Sequence, residues 1–307
     1  MNNLICITPI EHIKNVKNNL KKIGNLFYYP DVKKIDLNSL LINKKIDIIF
    51  TNPNKQGFKI DGDVLKDTSI KHIITASTGL THLDINYCNA NNITIHSLTT
   101  EYDVINNITS TAEHSFALML SLLRNIPKGH IDVASNFVWN YEKFIGRQLN
   151  NLSLAIFGYG RLGKMMHRFA KAFDMCVEIY DPYKGYSDLN QLINCDILSL
   201  HIHSTPETYN IINKDIINKF TKNIYIVNTS RGEIINEYDI IESLNSGKVL
   251  GYATDVLKDE LSNIQNSIII QNLDLNILVT PHIGGMTKEA QEIAYNGIIN
   301  KFLISNI

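Results

Sequence analysis

The residues whose types and spacing can do chemistry fall in the second half of the chain. Gly158-Tyr159-Gly160-Arg161-Leu162-Gly163 follows the apolar run Leu154–Phe157 directly. In a Gly-x-Gly-x-x-Gly loop the first glycine makes a tight turn and the second lets a pyrophosphate approach the backbone. The third lets the following helix pack on the strand, with the helix N-terminus facing the phosphates. Here a helix with apolar positions at Leu162, Met165, Met166, Phe169 and Phe173 follows the loop. The next strand, Val177–Tyr180, ends in Asp181, near the ~20-residue offset of a carboxylate that binds the adenosine ribose. Asp181 would accept a hydrogen bond from a free 2′-hydroxyl and repel a 2′-phosphate, which favours NAD over NADP.

In an open parallel sheet, ligands bind beyond the carboxyl ends of the strands. After the glycine loop those ends carry His201-Ile202-His203-Ser204-Thr205-Pro206, then Asn228-Thr229-Ser230-Arg231-Gly232. Further on come Asp255, with Glu260 behind it, and Thr280-Pro281-His282-Ile283-Gly284-Gly285. One cleft is thus expected to collect an arginine, a carboxylate and a histidine. A guanidinium grips a substrate carboxylate in bidentate fashion. An imidazole exchanges a proton with an alkoxide near neutral pH. A carboxylate beside the imidazole fixes its tautomer and favours the protonated form. The set suits reduction of a 2-oxo acid.

The elements that must position these groups are two series of short apolar strands separated by helical segments. The first is Leu4–Thr8, Leu26–Tyr29, Ile46–Phe50, His72–Thr75 and Ile93–His96. The second is Leu152–Phe157, Cys176–Tyr180, Ile197–Leu200, Ile224–Asn228, Gly251–Thr254 and Ile277–Val279. Near-continuous apolar strands alternating with helices indicate parallel sheets covered on both faces, and two series indicate two α/β domains. Thr109-Ser110-Thr111-Ala112-Glu113 offers a helix N-cap with a carboxylate in the first turn, and Ser115–Leu123 then runs apolar. This stretch and the less regular 129–149, with Trp139, are read either as an inter-domain or inter-subunit surface or as an ordinary buried helix.

Composition excludes several classes. The 307 residues are 44% hydrophobic and 19% charged, which argues against intrinsic disorder. A formal net charge of -1 gives no basic excess for nucleic acid. No apolar run approaches the ~20 residues of a bilayer crossing, and Met1–Cys6 is too polar for a secretory signal. Cys6, Cys88, Cys176 and Cys195 form no Cys-x-x-Cys pair, so free thiols in a reducing cytoplasm are expected. His201 and His203 stand at metal-ligand spacing without a third partner, so no metal is expected. His114 is read as a packed hinge residue, and Lys55 as a surface lysine.

Taken together, the stretch from Ser77-Thr78-Gly79-Leu80-Thr81-His82-Leu83-Asp84 to His282-Ile283-Gly284-Gly285 resembles the D-isomer-specific 2-hydroxyacid dehydrogenase family. The resemblance implies a catalytic trio of Arg231, Glu260 and His282. It puts Gly158, Gly160, Arg161, Leu162, Gly163, Asp181, His201, Thr205, Thr229, Asp255 and Gly284 at the cofactor. It makes Ser77, Thr78 and Gly79 a loop whose amides receive the substrate carboxylate, an anion-binding nest. His203 and Leu261 depart from the prolines usual at their positions. Spacing from Asp255 favours Glu260 over Asp259 as the histidine's partner.

The expected fold is therefore α/β: two doubly wound parallel-sheet domains around a cleft, an NAD-binding Rossmann domain over 101–284 and a flavodoxin-like substrate domain over 1–100 and 285–307. With the chain ending at Ile307, no C-terminal regulatory domain is expected. The expected function is NAD-dependent interconversion of a D-2-hydroxy acid and its 2-oxo acid, nearest to phosphoglycerate dehydrogenase-like members. The alternatives are a glyoxylate/hydroxypyruvate reductase and an NAD-sensing corepressor-type binding protein. The expected partners are the small-molecule acid and a second copy of the chain joined through 109–149, with neither nucleic acid nor membrane.

Overall fold

The computed structural model describes residues 2–53, 56–258, 260 and 263–305. Lys55, Asp259 and Leu261 lie outside the described residues. The first series of elements is β1 (Asn2–Cys6), α1 (Val16–Ile23), β2 (Gly24–Tyr28), α2 (Lys34–Asn43), β3 (Ile48–Thr51), α3 (Gly62–Leu65), β4 (His72–Thr75), α4 (Ile85–Ala90), β5 (Thr94–His96) and α5 (Tyr102–Ile105). The second is α6 (Ser110–Leu123), α7 (Ile126–Asn136), β6 (Ser153–Phe157), α8 (Arg161–Ala172), β7 (Cys176–Tyr180), β8 (Ile197–Leu200), α9 (Lys214–Lys219), β9 (Ile224–Asn228), α10 (Glu237–Asn245), β10 (Val249–Thr254) and β11 (Ile277–Val279), followed by α11 (Lys288–Ser305). The chain forms two compact units, residues 1–108 with 286–307, and residues 109–285.

In the first unit the strands lie in the order β2-β1-β3-β4-β5, all pairs parallel. This is the flavodoxin-like winding. Side chains alternate across each strand, so both faces need cover. Leu4, Cys6, Ile48, Phe50 and Ile74 pack with Val16 and Leu20 of α1 and Ile298 and Ile299 of α11. Ile5, Ile49 and Ile73 pack on the other face with Leu37 and Leu41 of α2. The return of the chain as α11 is therefore needed to cover the first sheet. Val104 and Ile105 of α5 join that same cluster, so residues just past 100 pack with the first unit.

In the second unit the order is β11-β10-β9-β8-β6-β7, again all parallel. Leu154, Ile156, Ile197, Val227 and Ala253 face α6 and α8 through Phe116, Met119, Met166 and Ala170. Ala155, Phe157, Leu198, Leu200, Ile226 and Tyr252 face α10 through Ile240. From β6 the chain winds outward to β7 and then crosses back to β8 on the other side. The end of β6 is therefore the switch point of this sheet, where loops diverge and leave a crevice. Among the described residues no helix is long and apolar enough to cross a membrane.

Candidate active site

At the switch point the three glycines of the loop have three different surroundings. Gly158 has φ +99°, and a Cβ there would lie 2.5 Å from the His201 carbonyl oxygen. Two loops meet backbone to backbone at that point, one after β6 and one after β8. A Cβ on Gly163 would lie 2.1 Å from the Gly158 oxygen and 3.2 Å from Ile156 Cγ2, so the close packing of α8 on β6 requires glycine. A Cβ on Gly160 would meet nothing within 4 Å. The fold leaves that space open beside the first turn of α8, which carries no acidic side chain. An open backbone at a helix N-terminus suits an anion.

The Gly158 amide donates to the Tyr180 carbonyl at 2.8 Å, tying the loop to the end of β7. Asp181 Oδ2 accepts from the Tyr159 amide at 2.8 Å, while its Oδ1 has no hydrogen bond among the described residues. One oxygen thus fixes the carboxylate and the other is left able to accept a further hydrogen bond. Open Gly160, the α8 N-terminus and Asp181 together fit a dinucleotide. His201 Nε2 lies 2.8 Å from the Ser199 hydroxyl, and its buried Nδ1 has no partner among the described residues. Burial pushes the His201 pKa down to about 4, so the ring is neutral at physiological pH.

The loop after β9 is braced by Asn228. Its Oδ1 accepts from the Ser230 amide at 3.0 Å and its Nδ2 donates to the Arg231 carbonyl at 2.9 Å. The Ser230 hydroxyl donates to the Leu200 carbonyl at 2.7 Å. Arg231 itself is half-buried and donates one Nη1 bond to the Ser230 carbonyl at 2.5 Å. Its other guanidinium N–H groups meet no acceptor among the described residues. One terminal nitrogen, Nη1, is therefore engaged, and Nε and Nη2 are left as a two-pronged donor.

Beyond β10 and β11, Glu260 Oε1 and His282 Nδ1 are 2.6 Å apart. With Nδ1 bound to the carboxylate, Nε2 is the nitrogen left to work. His282 has φ +55°, an unusual conformation for a residue other than glycine. Asp255 holds the loop in that shape, for its carboxylate accepts from the Ile283 amide at 2.8 Å and the Gly284 amide at 2.7 Å. It also accepts from Thr280 Oγ1 at 2.6 Å, and His114 Nε2 lies 3.3 Å away. Burial alone would raise the Asp255 pKa, but these hydrogen bonds outweigh it and hold the carboxyl below its usual range.

The trio expected from the sequence thus stands at the ends of three adjacent strands, with Glu260 and His282 in direct contact. Other expected cofactor residues present less to a ligand. Thr229 is buried and its hydroxyl donates to Ser115, whose own proton goes to the Thr111 carbonyl. The Gly284 amide and the Asp255 carboxylate are engaged with each other. Thr205 is exposed, and its hydroxyl lies 3.2 Å from that of Thr208. His203 is exposed and lends its carbonyl to Thr208 Oγ1 at 2.7 Å, a turn that takes histidine in place of proline. Sequence reasoning missed Asn228, Ser230 and Thr280 as braces. It also did not anticipate the bond of 2.9 Å between His114 Nε2 and Thr280 Oγ1.

In the first unit, Ser77, Thr78 and Gly79 form the loop after β4. The Ser77 hydroxyl donates to the Gly79 carbonyl at 2.8 Å. The Ser77 carbonyl accepts from the Leu98 amide at 3.0 Å, and the Thr78 carbonyl accepts from Thr99 Oγ1 at 3.0 Å. All three carbonyls are occupied, whereas the amides of Ser77, Thr78 and Gly79 meet no acceptor among the described residues.

A doubly wound sheet with a glycine loop, a ribose-type aspartate and a carboxylate–imidazole pair defines a dinucleotide-binding class of fold. Residues 116–284 match the family model for the D-isomer specific 2-hydroxyacid dehydrogenase, NAD binding domain, and the chain belongs to that family. It is similar to D-3-phosphoglycerate dehydrogenase of Bacillus subtilis, 33% identical over 74% of this chain and 43% of that protein. It is also similar to hydroxypyruvate reductase of Blautia hydrogenotrophica, 27% identical over 91% of this chain and 89% of that protein. Among solved structures, NAD-dependent formate dehydrogenase of Staphylococcus aureus in complex with NAD superposes with a TM-score of 0.83 at 25% identity, covering 100% of this chain and 96% of that one. The chain spans less than half the length of the phosphoglycerate dehydrogenase it matches at 33% identity.

Proposed function

We propose that this protein is an NAD-dependent oxidoreductase that interconverts a D-2-hydroxy acid and its 2-oxo acid. The observation that carries the reading is the Glu260–His282 bond, which leaves Nε2 as the working nitrogen, together with the partly unpaired guanidinium of Arg231 after β9, the strand that pairs with β10. Bound NAD supplies or accepts the hydride. Gly160, Arg161 and Leu162 at the α8 N-terminus hold its pyrophosphate, and Asp181 Oδ1 takes a ribose hydroxyl. Arg231 grips the substrate carboxylate through its fork. In reduction His282 Nε2 delivers a proton to the carbonyl oxygen, and in oxidation it removes the proton from the hydroxyl. Glu260 fixes the tautomer through Nδ1 throughout. In the first unit, the unpaired amides of Ser77, Thr78 and Gly79 are assigned to a substrate carboxylate.

Within this activity the leading substrate class is that of the phosphoglycerate dehydrogenases, resting on 33% identity. A hydroxypyruvate reductase is the second reading, favoured by a match along 89% of that relative. A protein that uses NAD only to set its shape would bind cofactor and reduce nothing. We assign the 109–149 region to a homodimer contact, because Phe137, Trp139, Tyr141 and Ile145 are each at least 80% exposed, and such apolar clusters mark partner surfaces. Four free cysteines, three of them buried, accord with a reducing, cytoplasmic setting. The test is NADH oxidation with hydroxypyruvate, its 3-phosphate, glyoxylate and pyruvate in parallel. Turnover of at least one is expected, and NADH binding without any turnover would leave only the binding-protein reading.

A further inference from the structure

His82 is 1% exposed, lies outside the machinery described above, and sits next to the loop assigned to the substrate carboxylate. Its Nε2 is 3.0 Å from Thr75 Oγ1, and Thr75 Oγ1 is 2.9 Å from Ser77 Oγ. The Ser77 hydroxyl is 2.8 Å from the Gly79 carbonyl. A carbonyl only accepts, and a hydroxyl has one proton. Ser77 must therefore give its proton to Gly79. Thr75 must then donate to Ser77, and so its own oxygen must receive a proton from His82 Nε2. The direction of every bond in the chain is fixed from its far end. Nδ1 is consequently the bare nitrogen, and it is buried without a partner among the described residues. Burial drives the ring to the neutral form, with its pKa pushed down to about 4.

We propose that His82 is a positioning residue for substrate binding: through Thr75 and Ser77 it holds the Gly79 carbonyl inward, so that the amides of Ser77, Thr78 and Gly79 stay free for a carboxylate. The proposal rests on the reading of that loop as the carboxylate receiver. Two other carbonyls of the loop are tied down by Leu98 and Thr99, so Gly79 is the one that depends on this relay. Without a proton on Nε2, Thr75 turns its hydroxyl toward His82, Ser77 loses its donor, and the Gly79 peptide is released to rotate an oxygen toward the anion.

The test has two arms on the full chain. Nitrogen NMR of histidine-labelled protein at neutral pH should show His82 protonated at Nε2 and bare at Nδ1, and the opposite tautomer would overturn the relay. In the second arm, kcat and KM for a 2-oxo acid and the Kd for NADH are measured for wild type, Thr75→Val, His82→Leu and His82→Gln. Thr75→Val keeps the buried shape and removes the relay, and it decides the matter even if His82→Leu does not fold. KM should rise about tenfold in Thr75→Val and His82→Leu, the equivalent of one hydrogen bond. kcat should stay within about threefold, and the NADH Kd should not change, while His82→Gln, which retains an N–H donor, should recover most of the KM. An unchanged KM in Thr75→Val overturns the proposal. So does a parallel loss of NADH affinity and Tm in all three variants, which a merely structural role would give. If wild type reduces no 2-oxo acid, the functional reading fails, and the tautomer still decides the relay.

Discussion

Alanine at each glycine of the loop separates folding from cofactor binding. At Gly160 the backbone has φ -75° and ψ -157°, open to alanine, and the added methyl meets nothing within 4 Å. Gly160→Ala should therefore fold as wild type, or gain up to ~1 kcal/mol from a stiffer unfolded chain. The same methyl enters the space assigned to the pyrophosphate. Displacing one charge-assisted hydrogen bond of ~1.5–3 kcal/mol weakens NADH binding by about 10- to 150-fold. Gly163→Ala does the reverse. Its methyl would sit 2.1 Å from the Gly158 oxygen, so α8 must move off β6, at the ~1–3 kcal/mol typical of overpacking. Gly158→Ala adds left-handed strain of ~1–2 kcal/mol to a 2.5 Å clash with the His201 carbonyl. Calorimetry gives Tm, and NADH fluorescence titration gives Kd. Wild-type affinity in Gly160→Ala, or wild-type Tm in Gly163→Ala, would refute the assignment of the three roles.

Arg231→Lys keeps the charge and loses the fork, so kcat/KM should fall by roughly 100-fold or more in steady-state kinetics, with NADH affinity preserved; near-wild-type efficiency would remove Arg231 as the substrate anchor. Asp181→Ser should relax the preference for NADH over NADPH in parallel titrations, and a wild type that binds NADPH as tightly would contradict the role of Asp181. His82 and His201 each have a folded pKa of about 4 against an ordinary 6.5. Between those values the unfolded chain takes up protons that the folded chain does not, so stability is full above pH 6.5 and falls as pH drops toward 4. The loss reaches at most ~3 kcal/mol per histidine. Denaturant melts from pH 7 to pH 4.5 should show a shallower decline in His201→Asn than in wild type, and equal slopes would show that His201 is not a buried neutral group.

Much of this arrangement was legible from the sequence because it rests on local patterns. Apolar runs placed all eleven strands, with ends displaced by a few residues where pairing extends or stops them. Ile46, expected in β3, instead donates its amide to the Leu41 carbonyl and closes α2, so the strand begins at Ile48. The stretch from Thr109 to Glu113, expected to offer an N-cap with a carboxylate in the first turn, starts α6 with Thr109 at the cap, its hydroxyl bonded to Glu113 Oε1 at 2.5 Å instead of to a backbone amide. Spacing pointed to the glycine loop and Asp181, and the family resemblance pointed to the Arg231–Glu260–His282 set. What the sequence did not reveal depends on contacts far apart in the chain or on backbone donors. The bracing role of Asp255 emerges only once its oxygens are found on the amides of Ile283 and Gly284, which any residue type supplies. His114 reads as a packed hinge because Thr280, its partner at 2.9 Å, is on the far side of the sheet sequence. The direction of the His82 relay follows only from which atoms can donate, which no residue pattern encodes.

In the proposed reaction hydride passes between NAD and C2 of an acid whose carbonyl oxygen receives its proton from His282. The most direct measurement uses NADH deuterated at the transferable position of C4 with the 2-oxo acid that turns over, followed by mass and chiral analysis of the product. The expected result is one deuterium on C2, a D-configured hydroxy acid, and loss of the product signal in His282→Gln while NADH still binds. Product without deuterium at C2, an L-configured product, or full activity in His282→Gln would contradict it.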